Sequence, residues 1–304
     1  MAAHQEDHHV PPPGAPPLLN RAQVIELCSN GWINIDLPQQ LERDIDVLQT
    51  IAAEFFAKQE HMKLEYTSPK HPEDEGYYHV PDEKEYFTFH RELTQTFAIQ
   101  DHVRVIWPQV AAFLHRMLCD LSSAGGLDPT TWDEVIKGAL TFPDEKTSLR
   151  DSPTLLRLFR YDPATGTAEN HTDLGLLTLC VGTGAGLEVQ DLSQRPAKWT
   201  GSAKCTVMVG ESLRRLSSNN IRAGLHRVVA NPVGRQSFVF ALRPNLSTSV
   251  DLEHFGGSGM VDLRDLFTSI KGSKYNVNAR TEVRQQQRQQ HVVNRADVGK
   301  MSIQ

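Results

Sequence analysis

Between residues 153 and 244 the chain is a succession of short apolar segments separated by glycine, proline and asparagine. Short strands at close spacing, with turn residues between them, are typical of a β-barrel or of a double-sheet jelly roll. Helical patterns precede this region and a short one follows it. The predicted fold class is therefore mostly β with flanking helices (α+β): a double-stranded β-helix, or jelly roll, with N-terminal helices.

Apolar residues at three- and four-residue spacing predict the helices that flank the β region. A capping box formed by Asn20 and Gln23 begins the first of them. A short strand at 31–35 follows. The other predicted helices cover residues 38–59, 100–121, 128–140 and 261–270. We expect one integrated domain with four parts: a flexible tail (1–17), a helical region with a lid segment (18–150), the jelly-roll catalytic core (151–245), and a helix with a polar tail (246–304).

The segment 66–89 is rich in aromatic and turn residues. One interpretation is a surface flap that packs over the core. The other is a mobile cover that contacts a substrate through Tyr78 and Phe87, because binding loops are carried by rigid scaffolds. His79 and His90 are assigned to neither a catalytic nor a metal site.

A metal site is predicted at Glu169-Asn170-His171-Thr172-Asp173 and at His226. On a strand, His171 and Asp173 would leave the same face. His226 opens another short apolar segment, so a neighbouring strand can bring it to them. Two histidines and one carboxylate with open positions opposite them suit non-heme Fe(II). The cysteines do not have the spacing of a structural zinc site.

An anion site is predicted nine residues beyond His226. Arg235 and Ser237 share one face of the next predicted strand. A guanidinium offers paired donors that match a carboxylate, and a hydroxyl can add one more hydrogen bond. A buried arginine needs an anion, and beside a three-ligand metal the natural one is the far carboxylate of a dicarboxylic cosubstrate.

Taken together, His171-Thr172-Asp173, His226 and Arg235-Gln236-Ser237 resemble the 2-oxoglutarate and Fe(II)-dependent dioxygenases, in the isopenicillin N synthase-like group. The similarity covers roughly residues 20–275. It includes LGLLTL at 174–179, GLEVQD at 186–191, VMVGE at 207–211, LSSNN at 216–220, and GYY and KEYF between 76 and 87. In many relatives an Asn-x-Tyr precedes the site. Here that stretch is Phe159-Arg160-Tyr161, so only Tyr161 carries over, and Glu211 replaces an aspartate.

The resemblance implies that the protein binds Fe(II), 2-oxoglutarate and O2. His171, Asp173 and His226 would be both the catalytic residues and the metal ligands, and Arg235, Ser237 and Tyr161 would bind the cosubstrate. It implies decarboxylation of 2-oxoglutarate to succinate, coupled to oxidation of a small organic molecule such as a biosynthetic intermediate. Hydroxylation, desaturation, ring formation and ring expansion all remain open, as does the identity of the substrate.

Two alternative functions fit the same residues. An oxidase would use no 2-oxo acid and would bind its own substrate's carboxylate with Arg235 and Ser237. A non-catalytic binding module would keep the fold without turnover. Dependence on the cosubstrate separates the first alternative from a dioxygenase, and succinate release with added Fe(II) separates the second.

The composition limits the classes of binding partner and the cellular locations that fit the chain. The net charge of −6 argues against a nucleic-acid surface, which needs a basic face. The His- and Pro-rich start is neither a signal peptide nor a membrane span. Four widely spaced cysteines are typical of a reduced intracellular protein, so we expect a cytoplasmic location, with Cys180 and Cys205 buried.

The glycine run at 182–186 is interpreted as a hairpin turn and not as a phosphate loop, because a strand follows it. The oligomeric state is left open.

Overall fold

The computed structural model describes residues 15–70, 72–94, 97–148 and 153–290. Within them the helices are α1 (Arg21–Asn30), α2 (Gln39–Phe56), α3 (Glu60–Leu64), α4 (Ala98–Ala124), α5 (Thr131–Val135), α6 (Glu211–Leu216) and α7 (Leu263–Gly272). The strands are β1 (Trp32–Asn34), β2 (Gly76–Val80), β3 (Lys84–Phe89), β4 (Leu155–Tyr161), β5 (Ala168–His171), β6 (Leu177–Thr183), β7 (Leu187–Asp191), β8 (Lys198–Gly201), β9 (Cys205–Val209), β10 (His226–Val228), β11 (Arg235–Leu242), β12 (Ser249–Asp251) and β13 (Met260–Asp262).

Eight strands from β4 to β11 form the jelly roll. β4, β6, β9 and β11 lie in a seven-stranded antiparallel sheet, whose order is β1-β9-β6-β11-β4-β3-β2. β5, β7, β8 and β10 form a four-stranded sheet in the order β5-β10-β7-β8. The chain crosses between the two sheets at nearly every connection. The predicted double-sheet core is therefore confirmed, and β1 to β3 extend both edges of its larger sheet.

The two faces of the large sheet differ in chemistry because side chains alternate along each strand. On one face, Leu156, Leu158, Phe238, Phe240 and Leu242 pack against α2 and α4 in the main core. The Trp107 ring of α4 lies 4.8 Å from the Phe240 ring, edge to face. The other face turns toward the small sheet, where a second apolar cluster includes residues of both sheets. The polar residues of the candidate site share this inner face.

The predicted helices are largely confirmed. Asn20 caps α1, and its side chain and that of Gln23 bond to each other's backbone N–H at 3.0 Å. The helix expected over 128–140 is too long, because α5 ends at Val135. Gly138 then adopts a left-handed φ of 81°, which turns the chain so that the Ala139 carbonyl accepts a hydrogen bond from Trp107.

The glycine run at 182–186 does not form a hairpin. β6 lies in the large sheet and β7 in the small one, so this turn carries the chain from one layer to the other. Gly184 and Gly186 have φ of 77° and 126°, a region that glycine adopts without steric cost. No helix follows the run, in agreement with the exclusion of a phosphate loop.

The lid expected over 66–89 is largely a β-hairpin of the large sheet. β2 and β3 pair with each other, and β3 pairs with β4. Phe87 lies on the helix-facing side, fully buried, with its ring 5.4 Å from that of Phe55. The lid was inferred from aromatic content, but alternation along β2 and β3 places Tyr77, Phe87 and Phe89 in the main core. Phe87 is therefore a packing residue, which corrects its assignment as a substrate contact.

The segment after α7 lies against the jelly roll. Helical turns continue over residues 281–290, and Arg284 forms a buried ion pair with Glu83. The Asn276 amide donates to Glu73 at 3.1 Å. The polar tail predicted within 246–304 is thus helical and packed on the jelly roll as far as residue 290, while residues 1–14 and 291–304 lie outside the described residues. No helix among the described residues is long and apolar enough to cross a membrane.

Candidate active site

Three potential metal ligands converge at one end of the small sheet. His171, the last residue of β5, faces His226, the first residue of β10, across an antiparallel pair. Their ring centroids are 4.1 Å apart. Asp173 lies beyond β5, in the crossing to β6, and its Oδ1 is 3.9 Å from His171 Nε2 and 4.0 Å from His226 Nε2. The predicted convergence is confirmed, although Asp173 is held by a loop and not by a strand.

Backbone hydrogen bonds orient both imidazoles. His171 Nδ1 lies 2.6 Å from the Glu169 carbonyl oxygen, and His226 Nδ1 lies 3.0 Å from that of Gly224. A carbonyl oxygen only accepts, so each Nδ1 carries the proton and donates it. In the neutral ring this leaves the Nε2 lone pair free, which is the arrangement found in metal-ligating histidines.

The protonation states also suit a metal. Burial, with a further effect from the neighbouring His226, holds the pKa of His171 well below its ordinary value, so this ring is neutral at neutral pH. Burial alone would raise the pKa of Asp173, but His226 and His171 outweigh it and keep that pKa below its usual range. A neutral imidazole and an ionised carboxylate are the forms that bind metal ions.

A polar cluster holds the loop that carries Asp173. Thr172 donates from Oγ1 to Glu211 Oε1 at 2.7 Å, and Lys274 Nζ donates to the Thr172 carbonyl at 2.8 Å. Ser212 Oγ bonds the Leu174 carbonyl at 2.6 Å. Burial would raise the pKa of Glu211, but its bonds from Thr172 and Arg214 lower it overall. Glu211, noted in the sequence only as a departure from relatives, thus anchors the residue between two ligands.

The donor set fits one transition-metal ion. A ligand atom from each of His171, Asp173 and His226 lies within 4.8 Å of the others. Metal–nitrogen bonds of this kind are about 2 Å long, so a single ion can reach all three. Two imidazoles and one carboxylate on one side, with the opposite side facing a cavity, match the facial triad of non-heme Fe(II) proteins.

Arg235 and Ser237 lie in the same cavity as the triad. Arg235 Nε donates to Ser237 Oγ at 3.0 Å, and its Nη1 donates to the Gly184 carbonyl at 2.5 Å. Its Nη2 is buried without a partner among the described residues. Tyr161 pairs directly with Arg235 across β4 and β11, and burial raises the pKa of its hydroxyl, so that it remains a donor. An unpaired buried guanidinium nitrogen requires an anion.

The cavity has a volume of about 100 Å³ and lies between the two sheets. Three polar residues that the sequence analysis did not assign also line it: Arg157, Thr178 and Arg243. Arg157 shares a strand face with Tyr161, four residues away. The alternation of side chains within Leu155–Tyr161 could therefore have identified Arg157 as a residue of the site. Asn278, from the C-terminal segment, is part of the same wall.

Tyr78 lies on the inner face of β2, in the apolar cluster shared by the two sheets. Its ring is 5.4 Å from that of Tyr86, and its hydroxyl lies 3.3 Å from Glu73. It does not line the cavity, and its contact with a substrate stays a prediction.

A jelly roll that carries two histidines and one carboxylate beside a buried arginine defines a class, the non-heme Fe(II) oxygenase scaffolds. Residues 152–244 match the family model of the 2OG-Fe(II) oxygenase superfamily. The finer prediction of an isopenicillin N synthase-like group is consistent with it.

Two named proteins are similar to part of the chain. The chain is 37% identical over 129 residues to oxidoreductase vrtI of Penicillium aethiopicum, an alignment that covers 40% of this chain and 28% of that protein. It is 29% identical over 129 residues to 2-oxoglutarate-dependent dioxygenase iboH of Amanita muscaria, covering 38% and 63%. The match thus spans less than two thirds of either relative.

Solved structures share the fold. A 2OG-Fe(II) oxygenase family protein from Caulobacter crescentus superposes with a TM-score of 0.66 at 20% identity, covering 81% of this chain and 92% of that one. A dioxygenase for auxin oxidation in rice superposes with a TM-score of 0.58 at 18% identity, covering 80% and 86%.

Proposed function

We propose that the protein is an Fe(II)- and 2-oxoglutarate-dependent dioxygenase that oxidises a small organic molecule. The observation that carries this proposal is the joint placement of the triad and Arg235. Two imidazole Nε2 atoms and a carboxylate oxygen converge on one point. A buried guanidinium with an unpaired Nη2 lines the same cavity. Neither the triad nor the arginine alone implies a 2-oxo acid. Together they match its two ends, because a metal on the triad can bind the 2-oxo acid group and the guanidinium can bind the far carboxylate.

The metal ligands and the residues of the anion site would have separate roles. His171, Asp173 and His226 would hold Fe(II), which when bound supplies the activation of O2 for oxidation of a C–H bond. The backbone carbonyls of Glu169 and Gly224 keep the imidazoles oriented. Arg235 and Ser237 would bind the far carboxylate of 2-oxoglutarate, with Tyr161 as a further donor. The apolar inner faces of the two sheets exclude water from the site.

We expect residues 18–150, 151–245 and 246–304 to act as one integrated domain, with the chemistry in the middle part. The residues 18–150 contribute β1 to β3 to the large sheet. A cytoplasmic location is supported by four free cysteines. The proposed partner is a small molecule, and the net charge of −6 disfavours nucleic acid.

The test is turnover of 2-oxoglutarate by the full chain. With Fe(II), ascorbate and O2, purified protein should release succinate, slowly without a substrate and faster with one. Omission of Fe(II) should stop the release. A protein that binds 2-oxoglutarate but forms no succinate with any compound tested would be a binding module. Oxygen consumption at full rate without a 2-oxo acid would identify the oxidase alternative.

A further inference from the structure

The cavity carries more positive charge than the proposed reaction needs. Three guanidinium groups line it, those of Arg157, Arg235 and Arg243, against one carboxylate, Asp173. Counted with both histidines as the neutral rings that bind a metal, the lining has a formal charge of +2. Fe(II) and 2-oxoglutarate would cancel each other, as a dication and a dianion. Two positive charges therefore remain in the cavity after the cosubstrate has bound.

Arg157 is buried, with 8% of its surface exposed. Its Nε donates to Thr88 Oγ1 at 2.7 Å, and its guanidinium carbon lies 4.6 Å from the centre of the Tyr86 ring. Among the described residues no carboxylate forms an ion pair with it, and its terminal nitrogens make no hydrogen bond. The side chain is thus fixed in position while its strongest donors are left for a ligand.

Arg243 follows β11 directly and continues its inner face. Its Nη1 donates to the Pro153 carbonyl at 3.2 Å, while its Nε is buried without a partner among the described residues. Burial, with a contribution from Arg157, lowers its pKa to about 10, so it stays charged at neutral pH. Thr178 is 1% exposed, lines the same cavity, and its hydroxyl lies near Asp173, where it helps to lower the pKa of that carboxyl.

Arg235 and Arg243 cannot serve the same cosubstrate. Arg235 begins β11 and Arg243 follows its last residue, so the two are eight residues apart, and at about 3.3 Å per residue their Cα atoms are roughly 26 Å apart. The Arg243 side chain lies against the loop that carries Asp173, since a Cβ on Gly175, two residues after Asp173, would lie 3.0 Å from Arg243 Cγ. Arg243 therefore lies away from the Arg235 anchor, while Arg157, opposite Val239, lies midway between the two ends of β11.

We propose that Arg157 and Arg243 bind a carboxylate of the substrate, so that this enzyme oxidises a small organic acid. This inference rests on the proposed function and names the substrate class of the same site. Guanidinium groups bind carboxylates through paired, charge-assisted hydrogen bonds. A carboxylate held here keeps the rest of the molecule near the metal triad.

Other charged groups face this subsite from neighbouring elements. Asp74, which precedes β2, has a pKa below its ordinary value: burial would raise it, but nearby positive groups that include Lys271, Arg157 and Arg243 outweigh that effect. Asp74 forms no ion pair with either arginine among the described contacts. Burial lowers the pKa of His90 to about 3, so His90 adds no charge at neutral pH. Asp74 is thus a partial countercharge that a bound carboxylate would supplement.

The experiment compares carboxylates with their uncharged amides. Acetate, butyrate, hexanoate, benzoate and phenylacetate, each with its primary amide, are titrated into the full chain by calorimetry. Saturating Mn(II) and 2-oxoglutarate fill the triad and the Arg235 anchor, without O2. Broadening of ligand proton signals by Mn(II) locates each bound compound near the triad. The variants are Arg157→Gln and Arg243→Gln, with Arg215→Gln as control, because Arg215 is an exposed arginine of α6.

At least one acid should bind wild type about tenfold to a hundredfold more tightly than its amide, as expected for charge-assisted hydrogen bonds. That preference should fall to near unity in Arg157→Gln and Arg243→Gln and persist in Arg215→Gln. Should a glutamine variant fail to fold, Arg157→Lys and Arg243→Lys keep the charge, and the preference should then fall only in part. No acid preference in wild type, or an equal preference in all variants, overturns the proposal.

The two proposals fail in different ways. If 2-oxoglutarate does not bind, the proposed function fails, while acids that need Arg157 and Arg243 but not Arg235 would still reveal the subsite. If 2-oxoglutarate binds through Arg235 and no acid is preferred, the function stands and the substrate class is wrong. Loss of thermal stability in Arg243→Gln with an unchanged acid preference would show that Arg243 is structural.

Discussion

Gly182 leaves the space that the Arg235 guanidinium occupies. The two residues lie on adjacent strands, where Gly182 pairs with Ser237. A Cβ at Gly182 would overlap Arg235 Nη2, the nitrogen that has no partner among the described residues. Glycine is thus required here for the anion site and not for a turn. Gly182, which the sequence analysis placed in a glycine-rich connection, therefore borders the Arg235 guanidinium.

Gly182→Ala should therefore weaken 2-oxoglutarate binding. The added methyl group displaces the guanidinium, and loss of a charge-assisted contact costs about 1.5–3 kcal/mol, or roughly tenfold to a hundredfold in the dissociation constant. Calorimetric titration with Mn(II) present measures this constant. Gly201→Ala is the matched control, since a Cβ there meets no atom within 4 Å. Unchanged affinity in Gly182→Ala would show that Arg235 does not hold the cosubstrate.

Arg235→Lys keeps the charge but loses the paired donors. The apparent constant for 2-oxoglutarate should rise about tenfold, with little change in that for Fe(II). Arg235→Ala should be worse, by about a hundredfold or more, because the buried carboxylate is then not neutralised. Oxygen uptake against 2-oxoglutarate concentration gives both constants. Arg215→Lys should match wild type. An equal rise in the Fe(II) constant would mean that Arg235 supports the metal site instead.

His226→Ala should abolish turnover and sharply weaken metal binding while the fold persists. His226 lies at the first position of β10, a strand with a partner on each side, so truncation removes a ligand without breaking the sheet. Mn(II) titration and thermal unfolding are the two measurements. His79→Ala provides the control, because His79 is a partly exposed histidine of β2 whose ion-pair partner is Glu60. Activity retained in His226→Ala would refute the triad.

The triad was predictable because its signal is local. His171 and Asp173 are two residues apart, and His226 opens a short apolar strand, so residue type and spacing sufficed. Arg235 and Ser237 followed from the same two-residue period. The jelly roll was predictable from the density of short strands and turns. Each of these inferences needed only the pattern within one segment.

The second pair of arginines needed strand register, which the sequence does not show. Arg157 lies opposite Val239 on β11, and only this pairing places it in the same cavity as Arg243. The interpretation of residues 66–89 as a lid missed a pairing of the same kind, because β2 and β3 join the large sheet through β4, a strand far along the chain. The contact of Arg284 with Glu83 joins residues 201 positions apart. Pairings between distant segments are set by packing of the whole domain.

Phe87→Ala should destabilise the protein and leave cosubstrate binding unchanged. Phe87 is fully buried and stacks with Phe89 at 4.7 Å. Large-to-small changes of buried phenylalanines cost about 3–5 kcal/mol. Urea denaturation measures the loss, and calorimetry measures the dissociation constant of 2-oxoglutarate. Phe142→Ala, on a partly buried ring that packs against the core, should cost less. If Phe87→Ala instead kept full stability and changed substrate affinity, the lid interpretation would be restored.

Arg284 fixes the C-terminal segment to the jelly roll through Glu83. Arg284 Nη1 lies 2.8 Å from Glu83 Oε2, and its side chain is 7% exposed. Burial would raise the pKa of Glu83, but the Arg284 hydrogen bond and nearby Lys84 lower it overall. A carboxyl whose folded pKa is depressed contributes stability above its ordinary pKa of 4.5, and that stability is lost as pH falls through the folded pKa.

Arg284→Gln should therefore lower the free energy of unfolding by about 2 kcal/mol at pH 7. The difference from wild type should shrink as the pH is lowered from 7 to 3, because a protonated Glu83 gains little from the guanidinium. Urea denaturation at each pH measures both proteins. Lys137→Gln removes an exposed partner of Glu134 and should cost less than about 0.5 kcal/mol at either pH. A pH-independent loss in Arg284→Gln would instead assign its effect to packing and to its bond with the Val277 carbonyl.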